Sequence, residues 1–415
     1  MARPSARGLA LAALDQWRHG HRFGDAILQD LLARTALGGP DRAFATELFY
    51  GVLRNLTLLD FWIARLRSAS LDDQSRDLLR IGLYQIFVLQ TPGHAAVFET
   101  VTLARKSSRP LVNAVLRNAL RRGPELKELT DSADLAIRTS HPAFLLERWI
   151  KAFGADTAAG LCGWNNKPAP IYARVNQLKV TTHAFLAADP TRELLPNRSN
   201  FVRLWSIPHE ALQRGECYIQ DPSTSLSCEL LQPEPCDTVL DACAAPGGKT
   251  GYLAELMQNQ GDLVACDRDP SRVQVLGGNL QRLGVSNGNV VQQDWTTGVL
   301  EAGLRGRAFD KILIDAPCTN TGVMRRRVDV RWRLRPDDFA RMAAQQFAIV
   351  KAVIPLLKQG GALVYSTCSI EPEENEGVLT QILRACPSLR IEAQQTVLPF
   401  RDGLDGAFAA KLRAA

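Results

Sequence analysis

The chain has 415 residues, of which 46% are hydrophobic and 22% charged, and its formal net charge is +6. This is the composition of a folded chain of two or three domains. It excludes a chain disordered throughout and a small disulfide scaffold, and its mild positive charge permits an anionic partner without demanding one. No apolar run approaches the ~18 residues of a membrane helix. The opening MARPSARGLALAALDQW, whose apolar stretch stops at Asp15 and Trp17, reads as the first turns of an amphipathic helix and not as a secretory leader. The nine cysteines are odd in number and form no C-x-x-C pair. Neither a disulfide framework nor a metal site is therefore expected, and reduced thiols in a cytoplasm are the simplest reading.

Residues 1–125 read as all-helical. Leu28, Leu31 and Leu32 share a face, as do Phe44, Leu48, Phe49 and Val52. LLRIGLYQIFVLQ (78–90) is apolar nearly all round, as a central bundle helix would be, and Thr91-Pro92-Gly93 stops it. AAVFETVTLARKS and LVNAVLRNALRR follow as helices, the second carrying Arg117, Arg121 and Arg122, and Gly123-Pro124 breaks the pattern. Those arginines suit either a solvated face or an RNA-facing surface.

Residues 126–235 are mixed, an α+β connector. FLLERWIKAFG is helical, IYARVN strand-like and TRELLPNRSN loop-like. From 236 to 415 the pattern alternates. The strands TVLDAC, GDLVACD, NVVQQD, FDKILIDAP and GGALVYSTC are separated by helical TGYLAELMQ, SRVQVLGGNLQRLG and a long stretch from about 337 to 358. Alternation at this spacing predicts a doubly wound α/β domain with a parallel sheet covered on both faces.

The loop DACAAPGGKT (241–250) lies between the first of these strands and its helix. Adjacent glycines let backbone approach a ligand, and a helix N-terminus offers free N–H groups. A P-loop NTPase would need Gly where Cys243 stands. A dinucleotide-like or S-adenosylmethionine loop needs an acid about 20 residues on, at the end of the next strand. Asp267 stands there, and Asp294 ends the third strand. The alternative for each acid is a helix cap.

The fourth strand ends in DAPC, placing Asp315 and Cys318 just past it, and the fifth ends in YSTC, placing Cys368 likewise. If consecutive strands are neighbours, both thiols reach the sheet edge that carries the glycine loop. A thiolate beside a methyl donor suits methylation of a carbon that is not itself nucleophilic, such as C5 of cytosine. Addition at C6 pushes electrons to C5, which then attacks the methyl. Asp315 could hold the cytosine edge, and the base must be unstacked or single-stranded. Arg325, Arg326, Arg327, Arg331 and Trp332 follow Cys318 directly, and RNA contact is expected of them in preference to a solvated loop. The acidic EPEENE (371–376) reads as the opening of a helix.

DACAAPGGKT, DAPCTNTGVMRR and YSTCSIEPEENE resemble the motifs of the Nol/Nop/Sun family of RNA cytosine-C5 methyltransferases. RAFATELFYGVLRN, LLRIGLYQI and LVNAVLRN resemble the NusB-like helical domain of its bacterial members, and DGLDGAFAAKL resembles their closing segment. The resemblance implies a NusB-like RNA-binding domain (1–125), an α+β connector (126–235) and an S-adenosylmethionine-dependent catalytic domain (236–415). It implies Cys368 as nucleophile and Cys318 in product release; spacing alone does not assign the two thiols. It places Cys243, Ala244, Ala245, Pro246, Gly247, Gly248, Lys249, Asp267, Asp294 and Asp315 at the cofactor. The expected activity is C5 methylation of one cytosine in 16S (small-subunit) rRNA, as naked RNA or in an assembly intermediate, in the cytoplasm, with no membrane, DNA or protein partner. A transfer-RNA methyltransferase of the same family, or a non-catalytic RNA-binding or antitermination protein, are the alternatives. Two departures stand out: Val328, where members often have Arg-Arg-His-Pro-Asp, and Ala407 in the closing segment. The first is expected to alter RNA contacts.

Overall fold

The computed structural model describes residues 5–414. The chain forms two compact units. One runs up to Lys167 and also takes in Met324–Arg333; the other comprises Pro168–Val323 and the residues from Leu334 onward.

The first unit is helical, as the periodicity requires. Ser5 caps the helix Ala6–His19 by accepting from the Gly8 N–H at 3.1 Å. Asp72 caps Asp73–Leu83 through the Ser75 N–H at 3.0 Å. Leu78, Leu79, Ile81 and Leu83 are all buried, so the apolar stretch is the centre of the bundle. It ends in a π-turn, Tyr84–Val88, before Gly93–Thr102 begins. Gly123-Pro124 does not end the unit. Proline is tolerated in a first helical turn, and a helix starts there, Gly123–Asp131. Ala143–Phe153 and Ala155–Asn166 follow, with Trp149 fully buried. The helical unit therefore extends about 40 residues past the expected boundary at 125.

In the second unit a small antiparallel sheet comes first: β1 (Ile171–Val175), β2 (Glu193–Leu194), β3 (Phe201–Leu204) and β4 (Cys217–Ile219), in the order β2-β3-β1-β4. The expected loop TRELLPNRSN contains the two-residue β2. The main sheet comprises β5 (Thr238–Asp241), β6 (Asp262–Asp267), β7 (Gly288–Gln292), β8 (Phe309–Asp315), β9 (Leu357–Thr367), β10 (Leu389–Val397) and β11 (Ala407–Ala414). Its order is β10-β11-β9-β8-β5-β6-β7.

Strands β5 to β9 are parallel, as predicted. Val239, Leu240, Ile312, Leu313, Leu363 and Val364 are wholly buried, which is why β5, β8 and β9 read as apolar runs and not as alternations. Strands β10 and β11, absent from the sequence reading, add an antiparallel hairpin beside β9. The order reverses between β5 and β8, the switch point at which doubly wound sheets bind ligands. The loops after β5, β8 and β9 leave the same carboxyl edge there, because the three strands are adjacent and parallel.

Candidate active site

The loop after β5 turns at Gly247, whose φ of +104° is a left-handed conformation open to glycine. Its N–H donates to Ala244 O at 2.8 Å, and the chain then enters the helix Gly248–Leu256. The Ala244 N–H reaches Cys266 O on β6 at 2.7 Å, and Trp295 Nε1 donates to Ala242 O at 2.7 Å, so the loop is braced from both sides. Burial and the carboxylates of Asp241, Asp315 and Asp267 push the Cys243 thiol well up, which keeps it inert.

Asp267 ends β6 and is 4% exposed. It does not cap the next helix. Asp269 does that, accepting from the Ser271 and Arg272 N–H groups. One Asp267 oxygen takes the Asp269 N–H at 3.1 Å and the other lies 3.3 Å from Arg272 Nη1. Asp294 closes a turn on Thr296, accepting from its hydroxyl at 2.7 Å and its N–H at 2.9 Å, and these bonds hold its carboxyl below the usual range. A backbone-lined glycine turn at a helix N-terminus, with an uncapping acid at the next strand end, fits the methionine and ribose ends of S-adenosylmethionine.

At the end of β8, Asp315 accepts from Lys249 Nζ at 2.6 Å. Burial alone would lower the lysine, but the adjacent carboxylate outweighs it and holds the ammonium above its ordinary range. Asp241, fully buried, is pushed up to about 7 by desolvation, although Thr250 Oγ1 donates to it at 2.8 Å.

The two thiols meet. Cys318 Sγ and Cys368 Sγ are 3.1 Å apart. The Cys368 S–H is 3.2 Å from Asn320 Oδ1, and Asn320 Nδ2 donates to Cys318 O at 2.9 Å. Contact with Cys368 and burial push the Cys318 thiol well up, so it keeps its proton. Asn320, with a left-handed φ of +60°, is not singled out by the sequence; its amide ties the Cys318 carbonyl to the Cys368 thiol. Glu374 was also missed. The acidic run predicts a helix opening, yet the helix begins at Glu376, and Glu371 and Glu374 are buried.

The arginine-rich stretch corrects the sequence reading. Met324–Arg333 belongs to the helical unit. Arg331 is fully buried there, donating to Asn166 Oδ1 at 2.8 Å, Asn165 O at 3.2 Å and Ser140 O at 3.3 Å. Trp332 Nε1 donates to Leu53 O at 2.8 Å, and Asp329 accepts from the Gly24 N–H at 2.7 Å. Arg325, 7% exposed, lies over the Trp164 ring at 4.1 Å. Neither Arg331 nor Arg325 is placed to meet phosphate, because each guanidinium is spent on interior partners. Arg326 is half-buried and Arg327 exposed. Val328 packs in the helical core, so that departure concerns packing and not RNA contact. Arg122 pairs with Glu125 at 2.6 Å and 2.8 Å, whereas Arg117 and Arg121 are exposed.

Among the described residues no group of His, Cys, Asp or Glu could hold a metal, and no helix is long and apolar enough to cross a membrane. All nine cysteines are free.

A glycine loop at the switch point of a doubly wound sheet, followed by acids at successive strand ends, defines an S-adenosylmethionine-dependent methyltransferase. Residues 228–413 match the family described as 16S rRNA methyltransferase RsmB/F, residues 4–121 match the NusB family, and residues 141–188 match the ferredoxin-like domain of RsmF/B-like methyltransferases. The chain is 34% identical to a probable ribosomal RNA small subunit methyltransferase B of Bacillus subtilis (strain 168), over 97% of this chain and 95% of that one. It is 37% identical to the ribosomal RNA small subunit methyltransferase B of Erwinia tasmaniensis, over 92% of each. The crystal structure of PH0851 shares the fold with a TM-score of 0.79 at 24% identity, over 99% of both chains. The chain belongs to the RsmB/F methyltransferase family, and its cofactor is S-adenosylmethionine.

Proposed function

We propose that this chain methylates C5 of one cytosine in 16S rRNA, in the cytoplasm, through a covalent adduct between Cys368 and C6. The observation that carries the reading is the 3.1 Å approach of two thiols beside the Lys249–Asp315 pair. The rRNA substrate rests on the names of the relatives. S-adenosylmethionine supplies an electrophilic methyl group on a sulfonium.

The Cys368 thiolate adds to C6, and the electron pair of the C5–C6 double bond moves toward C5, which takes the methyl. A base removes the C5 proton, the double bond re-forms, and the S–C6 bond breaks to return the thiolate. Asp315, paired with Lys249, can accept from the exocyclic amino group of the cytosine. The Lys249 ammonium puts positive charge beside the ring while the ring is electron-rich. Cys318, protonated and facing Cys368, can donate to the departing sulfur. The target base must be single-stranded or flipped out.

The test is covalent trapping. With Cys318→Ala, an SDS-resistant protein–RNA species should accumulate; with Cys368→Ala, and with the double variant, none should form and methylation should stop. Trapping by Cys368→Ala and not by Cys318→Ala would exchange the roles. Activity retained by both single variants would remove covalent catalysis.

A further inference from the structure

Glu374 is fully buried, six residues beyond Cys368. Its Oε2 accepts from the Thr319 N–H and from Gln346 Nε2, both at 2.9 Å. Its Oε1 accepts from Ser369 Oγ at 2.7 Å and from Thr319 Oγ1. Thr319 is the residue after Cys318, and Ser369 is the residue after Cys368. One carboxylate thus holds the neighbour of each thiol.

The two loops also meet directly: Thr319 Oγ1 and Thr321 Oγ1 lie 3.3 Å and 3.2 Å from Ser369 Oγ, and the Cys368 S–H lies 3.2 Å from Asn320 Oδ1. The Gly322 N–H donates to Cys368 O at 3.0 Å, and the Ile370 N–H to Thr321 Oγ1 at 3.1 Å. A Cβ at Gly322 would stand 2.6 Å from that same Cys368 O, so this approach needs glycine. Gln346, on the helix Asp338–Val353, fixes the carboxylate from behind. Its Nε2 also donates to Pro317 O at 2.9 Å, and its Oε1 accepts from Tyr365 OH at 3.0 Å.

We infer that Glu374 is the positioning residue that sets the distance between Cys318 and Cys368. The inference rests on the two-thiol reading above. A carboxylate has acceptors only, and this one faces four donors. Removing it takes the acceptor from the buried Thr319 N–H, leaves Gln346 Nε2 with Pro317 O alone and leaves the two hydroxyls with each other, which favours rearrangement of both loops. A displacement of about 1 Å between reacting groups costs on the order of 10²-fold in rate. Glutamine has the same size and can keep the arrangement. Its oxygen can serve the Thr319 N–H and Gln346, while its NH₂ faces the Thr319 and Ser369 hydroxyls, which can turn to accept. The role is therefore geometric and does not require the charge.

The experiment uses the full-length chain and two readouts. The first is methyl transfer to 16S rRNA. Glu374→Ala should lower kcat about 10²-fold, with KM for RNA and the dissociation constant for S-adenosylmethionine changed less than about threefold. Glu374→Gln should restore kcat to within about tenfold of the unsubstituted protein.

The second readout is disulfide formation between Cys318 and Cys368 with diamide, followed by mass spectrometry. Two thiols lose two electrons and two protons to the diazene, which becomes a hydrazine, and the S–S bond forms. Because a disulfide demands close, oriented sulfurs, Glu374→Ala should slow it about tenfold and Glu374→Gln should not. This readout reports thiol separation whichever cysteine attacks, so failure of the inference is distinguishable from failure of the covalent reading, which the single cysteine variants decide.

Should Glu374→Ala not fold, Ser369→Ala removes one arm of the clamp and should lower kcat and disulfide rate together, each by about threefold to tenfold. A Glu374→Ala protein with normal kcat and disulfide rate overturns the inference. So does Glu374→Gln as impaired as Glu374→Ala, or a loss of S-adenosylmethionine binding that tracks the loss of activity.

Discussion

Lys249 and Asp315 stand 2.6 Å apart and join the helix behind the glycine loop to the end of β8. In the proposed reaction the pair would couple the cofactor side of the edge to the side where the cytosine lies. Lys249→Met would remove the ammonium and leave Asp315 without its counter-ion. Methyl transfer should then fall by about two orders of magnitude, the typical worth of a preorganised charge at a reacting centre. The dissociation constant for S-adenosylmethionine should move much less. Isothermal calorimetry beside single-turnover kinetics would separate the two; a loss confined to cofactor affinity would place Lys249 on the cofactor alone.

Asp267 is expected to hold the ribose hydroxyls, since the capping role is taken by Asp269. Asp267→Ala should weaken S-adenosylmethionine binding by about 1.5–3 kcal/mol, the range for a hydrogen bond to a charged group. Calorimetry on a folded variant is the check, and an unchanged affinity would remove Asp267 from the cofactor site.

Asp241 gives a pH dependence with a defined sign. Desolvation raises its carboxyl from 3.8 to about 7, with the Asp315 charge adding to it. Between those values the folded state binds more protons at this site than the unfolded state. Stability from this group is therefore greatest below about pH 4 and declines as pH rises toward 7. Asp241→Asn removes the titration while an amide oxygen can still accept from Thr250. The stability difference between the variant and the unsubstituted protein should shift in the variant's favour from pH 4 to pH 7, measured by denaturant unfolding at constant ionic strength. A difference that is flat across that window would show that Asp241 does not titrate there.

Arg327 and Arg331, four residues apart, should behave differently. Arg331→Ala leaves Ser140 O, Asn165 O and Asn166 Oδ1 without their buried donor and should destabilise the helical unit by at least about 2 kcal/mol. Arg327 is exposed, so Arg327→Ala should change stability by less than about 0.5 kcal/mol. If Arg327 meets phosphate, its loss should reduce the slope of log affinity for rRNA against log salt by about one. Equal stability losses in the two variants would contradict the structural distinction.

Local pattern was enough for much of this protein. Apolar runs of strand length separated by helical stretches specify a covered parallel sheet. Gly247 and Gly248 specify a turn, and Asp267, Asp294, Asp315, Cys318 and Cys368 specify strand ends, because these signals depend on neighbours in the chain. Partners far along the chain decided the rest. The adjacency of β5 and β8, which brings the glycine loop beside Asp315, is a pairing between strands about 70 residues apart. In the closing hairpin the outer strand β10 is mostly exposed, so it carries no buried-strand signal, and β11, though buried, is placed by its pairing with β9.

Charge was the most misleading local cue. Arg331 and Glu374 are residue types expected at the surface. Arg331 is drawn into the helical unit by acceptors, among them Ser140 O, 191 residues away in sequence. Glu374 is drawn between the thiol loops by donors, among them the Thr319 N–H, 55 residues away. A buried charge is tolerated only where its hydrogen-bonding capacity is met, and only tertiary structure assembles those partners.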